Sequence, residues 1–301
     1  TASLPHVMMR YFTTPSVRTA RRSVGWSLFF IFLLYSSAPM LATLSKISLM
    51  DPNLATGIIG KSITDVQALD WYQNWNQAKL MFVSDFNGNG TLELNEFFMK
   101  GSAVVLATPE IAGLPYVISG LVAAGGMAAA MSTADGLVLA ISNALSHDVY
   151  YKIINPKAET AKRLIVARVL LVLIGFAGAT IAALEIQGIL GSVIWAFDFA
   201  MSGLFFPLVL GVWWKRANAP GAVAGMLLGL ISGTAYLVWV RSGGSGFLGI
   251  TQLTFGIVGA SVSLVSMIVV SLITAAPDAA TQKMVDDVRI PSGKTILGKQ
   301  H

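Results

Sequence analysis

Six stretches of this chain are apolar over lengths that a water-soluble domain rarely carries, and they fix what it can fold into. They run roughly Val24–Ala42, Ile111–Leu145, Leu164–Leu184, Ile189–Trp213, Gly221–Val240 and Leu253–Thr274. About 20 apolar residues in helical form cross the hydrocarbon core of a bilayer, and each stretch is of that order. A backbone in lipid must satisfy its own N–H and C=O groups, so these segments are expected to be helices. Apolar residues make up 54% of the chain, charged residues 12%, and the mean hydropathy is +0.69. The expected class is an all-α membrane protein, a bundle of six transmembrane helices.

Charge sets the expected orientation. Of the 20 Lys and Arg, all but Lys46, Lys61, Lys79, Lys100 and Arg241 fall on the side shared by both termini. That is the positive-inside pattern, and it places both ends in the cytoplasm of a multi-pass protein of the inner (plasma) membrane. The net charge of +5 is therefore explained by loops flanking spans, and no nucleic-acid partner is expected. Residues 1–23 are a basic connector without the apolar core of a signal peptide, and Arg18, Arg21 and Arg22 are placed to meet anionic lipid. The chain opens on Thr, and six spans beginning so abruptly read as the back part of a longer protein. There is no cysteine, hence no disulfide framework.

The most telling span is the second, with its tail taken as residues 111–150. Within Met127–Tyr150 it carries Ser132, Thr133, Asp135, Ser142, Asn143 and Ser146. At 100° per residue, Ser132, Asp135, Gly136, Ser142, Asn143 and Ser146 share one stripe. An ionisable group at membrane depth faces a cavity, a partner or an ion path, because lipid solvates it poorly. Hard cations take oxygen ligands, so the Ser132 and Thr133 hydroxyls are candidate cation ligands. Back-bonding of the same hydroxyls to a carbonyl one turn earlier explains the pair equally well.

Residues 46–110 form the one large polar excursion, expected on the outer face as a small aromatic-rich cap. Inside it, Asp85–Glu96 (DFNGNGTLELNE) fits a twelve-residue EF-hand calcium loop. Asp85, Asn87 and Asn89 stand at positions 1, 3 and 5, Gly90 at 6, Thr91 at 7, Glu93 at 9 and Glu96 at 12. Helices are expected on both flanks, over Trp75–Val83 and Asn95–Leu106. A plain Asn-Gly turn accounts for the glycines but leaves Asp85 and Glu96 unexplained. Ca²⁺ is the candidate metal.

The blocks LPHVMMRYFT (4–13) and AAAMSTADGLVLAISNALSHDVYYK (128–152), with the spans that follow, resemble the sodium:solute symporter family. Within it the likeness is greatest to cation/acetate and related monocarboxylate symporters. The resemblance implies part of a five-plus-five inverted-repeat helical bundle, these six spans being the C-terminal part. It implies Na⁺ as coupling ion, bound by the Ser132 and Thr133 hydroxyls and the Ala129 carbonyl. The remaining ligands would come from the first core helix, so N-terminal helices of the same protein are expected partners. Asp135, one turn on, becomes a candidate second ion or proton site. The implied substrate is a small organic anion, acetate or another monocarboxylate.

The other features read as architecture. Gly221, Gly225, Gly229 and Gly233 form a four-residue ladder for close helix packing, and Pro207 marks a kink. Residues 164–274 hold the last four spans, and 275–301 a polar tail. Asp198 is expected to pair with a Lys or Arg on a missing helix, or to line the cytoplasmic exit. His6 and His147 lie at helix ends. No nucleophile–base set, phosphate loop or His-rich cluster suggests an enzyme. Two competing functions are a symporter-like sensory domain and a calcium-binding membrane anchor.

Overall fold

The computed structural model describes residues 3–8, 14–184 and 186–289. Residues 9–13 of the 4–13 block and the tail beyond Arg289 fall outside them. Six helices among the described residues are long and apolar enough to cross a membrane. A four-residue helix α1 (Pro5–Met8) precedes the first of these, α2 (Val17–Met50). The others are α6 (Tyr116–Asn143) with its continuation to Ile154, α7 (Thr160–Ala183), α8 (Ile189–Ala200) continuing into α9 (Phe206–Trp213), α10 (Ala219–Arg241) and α11 (Gly256–Ile273). The all-α membrane class expected from the sequence holds.

Several boundaries differ from expectation. The first span starts seven residues before Val24 and takes in Arg18, Arg21 and Arg22, because Ser16 caps it: its Oγ accepts the Thr19 amide at 3.1 Å. The second does not start at Ile111. A short helix α5 (Val104–Ile111) ends there, Gly113 takes φ +66°, and Pro115 stands one residue before the first turn of α6. Past Asn143 the helix widens into an i→i+5 π-helical stretch, Ala144–Ile154. The tail is not merely polar loop, since Ala279–Arg289 folds as α12.

Chain contacts divide the molecule into two units: residues 22–133, and residues 134–301 with 1–21. The first unit contains a cap core of Leu49, Ile58, Ile63, Val66, Tyr72, Met81, Leu92, Ala107 and Ile111. Around it lie α3 (Ile63–Gln67), α4 (Asp70–Gln77), α5 and two short antiparallel strands. Strand β1 (Met81–Val83) pairs with β2 (Phe97–Met99) in the register Met81–Met99, Phe82–Phe98, Val83–Phe97. Phe82 and Phe98 stack with centroids 4.6 Å apart. The helix expected over Trp75–Val83 stops at Gln77, where Lys79 turns into the left-handed region at φ +57°.

In the second unit α10 and α11 lie in the closest contact. All four ladder glycines are buried, and a Cβ at Gly225 would stand 3.0 Å from the Met267 Cβ and 3.1 Å from the Ser263 carbonyl oxygen. Asn218 fixes the end of the pair. Its Oδ1 accepts the Gly221 amide at 3.0 Å, and its Nδ2 donates to Thr274 Oγ1 at 2.7 Å and the Ala275 carbonyl at 2.8 Å. Between α8 and α9 the helix runs through a π-helical turn, Met201–Phe205, with Pro207 just beyond.

Helix α12 is held by charge. Lys215 Nζ meets Asp286 Oδ2 at 2.7 Å, Arg289 meets Asp286 Oδ1 at 2.6 Å, and Arg289 lies 5.8 Å over the Trp213 ring. The hydrogen bond from Lys215 holds the Asp286 carboxyl below the ordinary carboxylate value, with both cations adding to the effect. A depressed carboxyl stabilises the fold above its unfolded value and stops doing so as pH falls through its folded value. Proteolysis near α12 should therefore quicken as pH drops through the acid range, or on Asp286→Asn at neutral pH. Equal cleavage rates would show that these pairs do not hold the helix.

Candidate ion site on helix α6

The oxygens that the sequence nominates are close together. Ser132 Oγ donates to the Ala129 carbonyl at 3.0 Å, and Thr133 Oγ1 to the same carbonyl at 3.5 Å. Residues three and four places on in a helix stack over the residue before them, so both hydroxyls reach back to one carbonyl. Back-bonding and ion binding are thus not alternatives in geometry. Oxygens 3.0–3.5 Å apart are also spaced as neighbours in the shell of a hard cation held at about 2.4 Å. Ala129, Ser132, Thr133 and Asp135 are all exposed on α6.

The stripe they begin does not continue as one open wall. Ser142 is 1% exposed, and its Oγ donates to the Ala167 carbonyl on α7 at 2.8 Å. Ser146 is buried as well, within the π-helical stretch where the 100° projection no longer applies. The polar face therefore divides into an exposed upper part, Ala129 to Asp135, and a lower part that includes a contact with α7.

Asp198 packs against the start of α11. It is 9% exposed and lies against Gly256, the first residue of α11, where a Cβ would stand 2.7 Å from Oδ1; its Oδ2 is buried with no hydrogen-bond partner among the described residues. A helix N-terminus carries a partial positive charge, which favours a carboxylate beside it. Nearby, Trp195 Nε1 donates to the Gln252 carbonyl at 2.9 Å, and Phe199 meets Phe255 edge to face. Sequence reasoning missed Gly256, whose only signal was a glycine opening the last span. It also missed Arg163, which stacks 3.8 Å over Tyr151 and lies 3.3 Å from His147 Nδ1. His147 accordingly sits in a cluster with Arg163 and Tyr151.

The acidic loop is arranged around backbone amides. Asp85 accepts from Gly88 at 2.8 Å and Gly90 at 3.0 Å, Asn87 from Asn89 at 2.9 Å, and Asn89 from Thr91 at 2.7 Å. Glu96 is fully buried and accepts from Phe86 at 2.9 Å and Glu93 at 3.0 Å. Glu93 accepts the side-chain amides of Asn87 and Asn89 at 3.0 and 3.1 Å. The flanks are β1 and a 3-10 turn leading into β2, so the helix–loop–helix frame of an EF-hand is absent. Among the described residues no three His, Cys, Asp or Glu side chains gather as a metal-holding group.

Residues 100–229 match the sodium:solute symporter family. An uncharacterized symporter of Cupriavidus necator is 39% identical over 299 residues, taking in 96% of this chain. A monocarboxylic acid transporter of Corynebacterium glutamicum is 26% identical over 77% of the chain, and the sodium/proline symporter of Escherichia coli 31% identical over 60%. The chain spans 43%, 35% and 33% of the lengths of these three relatives. The stretch that carries Ala129, Ser132, Thr133 and Asp135 lies within residues 100–229, the part of this chain that matches the sodium:solute symporter family.

Proposed function

We propose that this chain forms part of a sodium-coupled symporter for a small organic anion, a monocarboxylate such as acetate. The observation that supports this reading is the convergence of the Ser132 and Thr133 hydroxyls on the Ala129 carbonyl, within the stretch that matches the family. These three oxygens are half of a sodium shell on an exposed face of α6, and the rest of the shell comes from another helix of the transporter. Sodium binding there favours one state of an alternating-access cycle, which couples the ion gradient to the solute. The protein sits in the inner membrane with both ends of this chain in the cytoplasm, as the distribution of Lys and Arg supports.

One relative is named for monocarboxylic acids and another for proline. Radiolabelled acetate and proline, offered in turn to cells expressing the transporter, separate the two. Acetate uptake driven by an inward sodium gradient is the expected result; proline uptake with no acetate uptake overturns the substrate assignment.

Asp135 serves as a second ion or proton site one turn from the first. Asp135→Asn should leave sodium-dependent uptake measurable but change its coupling, read as altered stoichiometry or lost pH dependence. Unchanged values for both would rule the carboxylate out.

The Asp85–Glu96 loop supports a second, subordinate reading as a calcium site that stiffens the cap. Its acceptors already curl inward, and buried Glu96 closes the loop on its own start at the Phe86 amide. With two of its positions filled by Asn, such a site belongs with extracellular modules, at a Kd of about 10⁻⁴–10⁻³ M. Millimolar calcium should raise the melting temperature of the purified chain, and Asp85→Asn should abolish that rise. No calcium-dependent shift in the unaltered chain would end this reading.

A further inference from the structure

Helices α4 and α5 and the first turns of α6 line an open cavity of about 900 Å³. Its wall includes Asp70, Trp71 and Trp75 from α4, Glu110 from α5, and Tyr116 and Ser119 from α6. Trp75 Nε1 donates to Glu110 Oε2 at 3.0 Å, which fixes the carboxylate against the indole edge. No Lys, Arg or His is among the lining residues. Ser119 Oγ is buried and has no hydrogen-bond partner among the described residues.

This combination selects one ligand chemistry. Indole and phenol faces attract cations, two carboxylates add charge that nothing in the wall neutralises, and an orphan hydroxyl accepts an N–H. An anion would meet repulsion, and a purely apolar guest would strip water from two carboxylates without replacing its hydrogen bonds. The volume lies in the range of small-molecule sites. The location narrows the source. Tyr116 opens a helix of membrane length, so the cavity lies where lipid headgroups end and where Trp and Tyr concentrate.

We propose that this cavity binds an ammonium group, namely that of an ethanolamine-bearing zwitterionic lipid headgroup. The site is separate from the sodium ligands on α6 and does not depend on them.

The test uses the purified chain in detergent, with short-chain phosphatidylethanolamine, short-chain phosphatidylglycerol and ethanolamine hydrochloride as probes. Native mass spectrometry reads bound lipid and tryptophan fluorescence reads all three. Saturable binding of the ethanolamine lipid, with none of the glycerol lipid, is expected. Glu110→Gln and Asp70→Asn should each weaken it about tenfold, the size of one lost charge-assisted contact. Glutamine still accepts the Trp75 N–H, so that variant keeps the wall intact. At Gly120, also in the lining, a Cβ would meet nothing within 4 Å, so Gly120→Leu places a bulky side chain at the cavity wall and should abolish binding. Ethanolamine binding as tightly as the lipid would overturn the lipid source in favour of a soluble amine. Equal binding of phosphatidylglycerol, or indifference to all three variants, would overturn the proposal.

Discussion

Removing both α6 hydroxyls, as Ser132→Ala with Thr133→Ala, should raise the external sodium needed for half-maximal uptake by at least about tenfold. Changes merely beside a metal's ligands cost about 10- to 100-fold in affinity, and direct ligands should cost no less. The backbone carbonyl of Ala129 survives the change, so residual sodium dependence at high concentration is expected rather than complete loss. Thr133→Ser keeps the oxygen and drops only a methyl group, so it should stay within about threefold of the unaltered protein. This pair of outcomes separates a ligand role from simple back-bonding. Hydroxyls that only satisfy the Ala129 carbonyl can be removed with a small effect on helix stability and none on sodium response. Sodium curves are therefore the readout, with surface expression measured alongside.

The second large effect concerns the glycine ladder. At Gly229 a Cβ would land on the carbonyl oxygen of Ser202 and stand 2.8 Å from the Ser263 Cβ, both in the buried contact of α10 with its neighbours. No flexible side-chain end is available to give way there. Gly229→Ala should destabilise the chain by about 1–3 kcal/mol, the usual range for overpacking a tight core, and melt it several degrees lower in detergent. Gly178 is the matched control. It lies within α7, a Cβ there would meet nothing within 4 Å, and alanine is the better helix former by about 0.8–1.0 kcal/mol. Gly178→Ala should hold or raise the melting temperature. If both variants melt like the unaltered chain, the ladder does not set the approach of α10.

Much of the fold was legible because lipid imposes a strong composition rule. A span must be long, apolar and helical, and all six stretches show it without any tertiary information. The ladder was legible for a similar reason, since glycine every fourth residue has few uses other than close packing. What stayed hidden depended on backbone partners. Asp198 stood in the sequence as a lone charge among aromatics, and its neighbour in the fold is Gly256 at the start of α11, 58 residues away. The split of the α6 stripe was hidden because a uniform 100° step cannot anticipate a π-helical stretch beginning at Ala144. The acidic loop misled in its flanks. Its diagnostic positions matched, but the short apolar runs Met81–Val83 and Phe97–Met99 pair as strands instead of extending helices. The aromatic and acidic cavity beside α6 could not be seen at all, since Asp70 and Glu110 are 40 residues apart in sequence.

Direct binding of ²²Na⁺ to the purified transporter examines the ion site without the complications of a transport cycle. Saturable binding that unlabelled sodium displaces and potassium does not, lost when Ser132 and Thr133 are both alanine, is the result expected if three oxygens of α6 hold the ion. Binding of equal affinity in that double variant would place the sodium elsewhere in the protein.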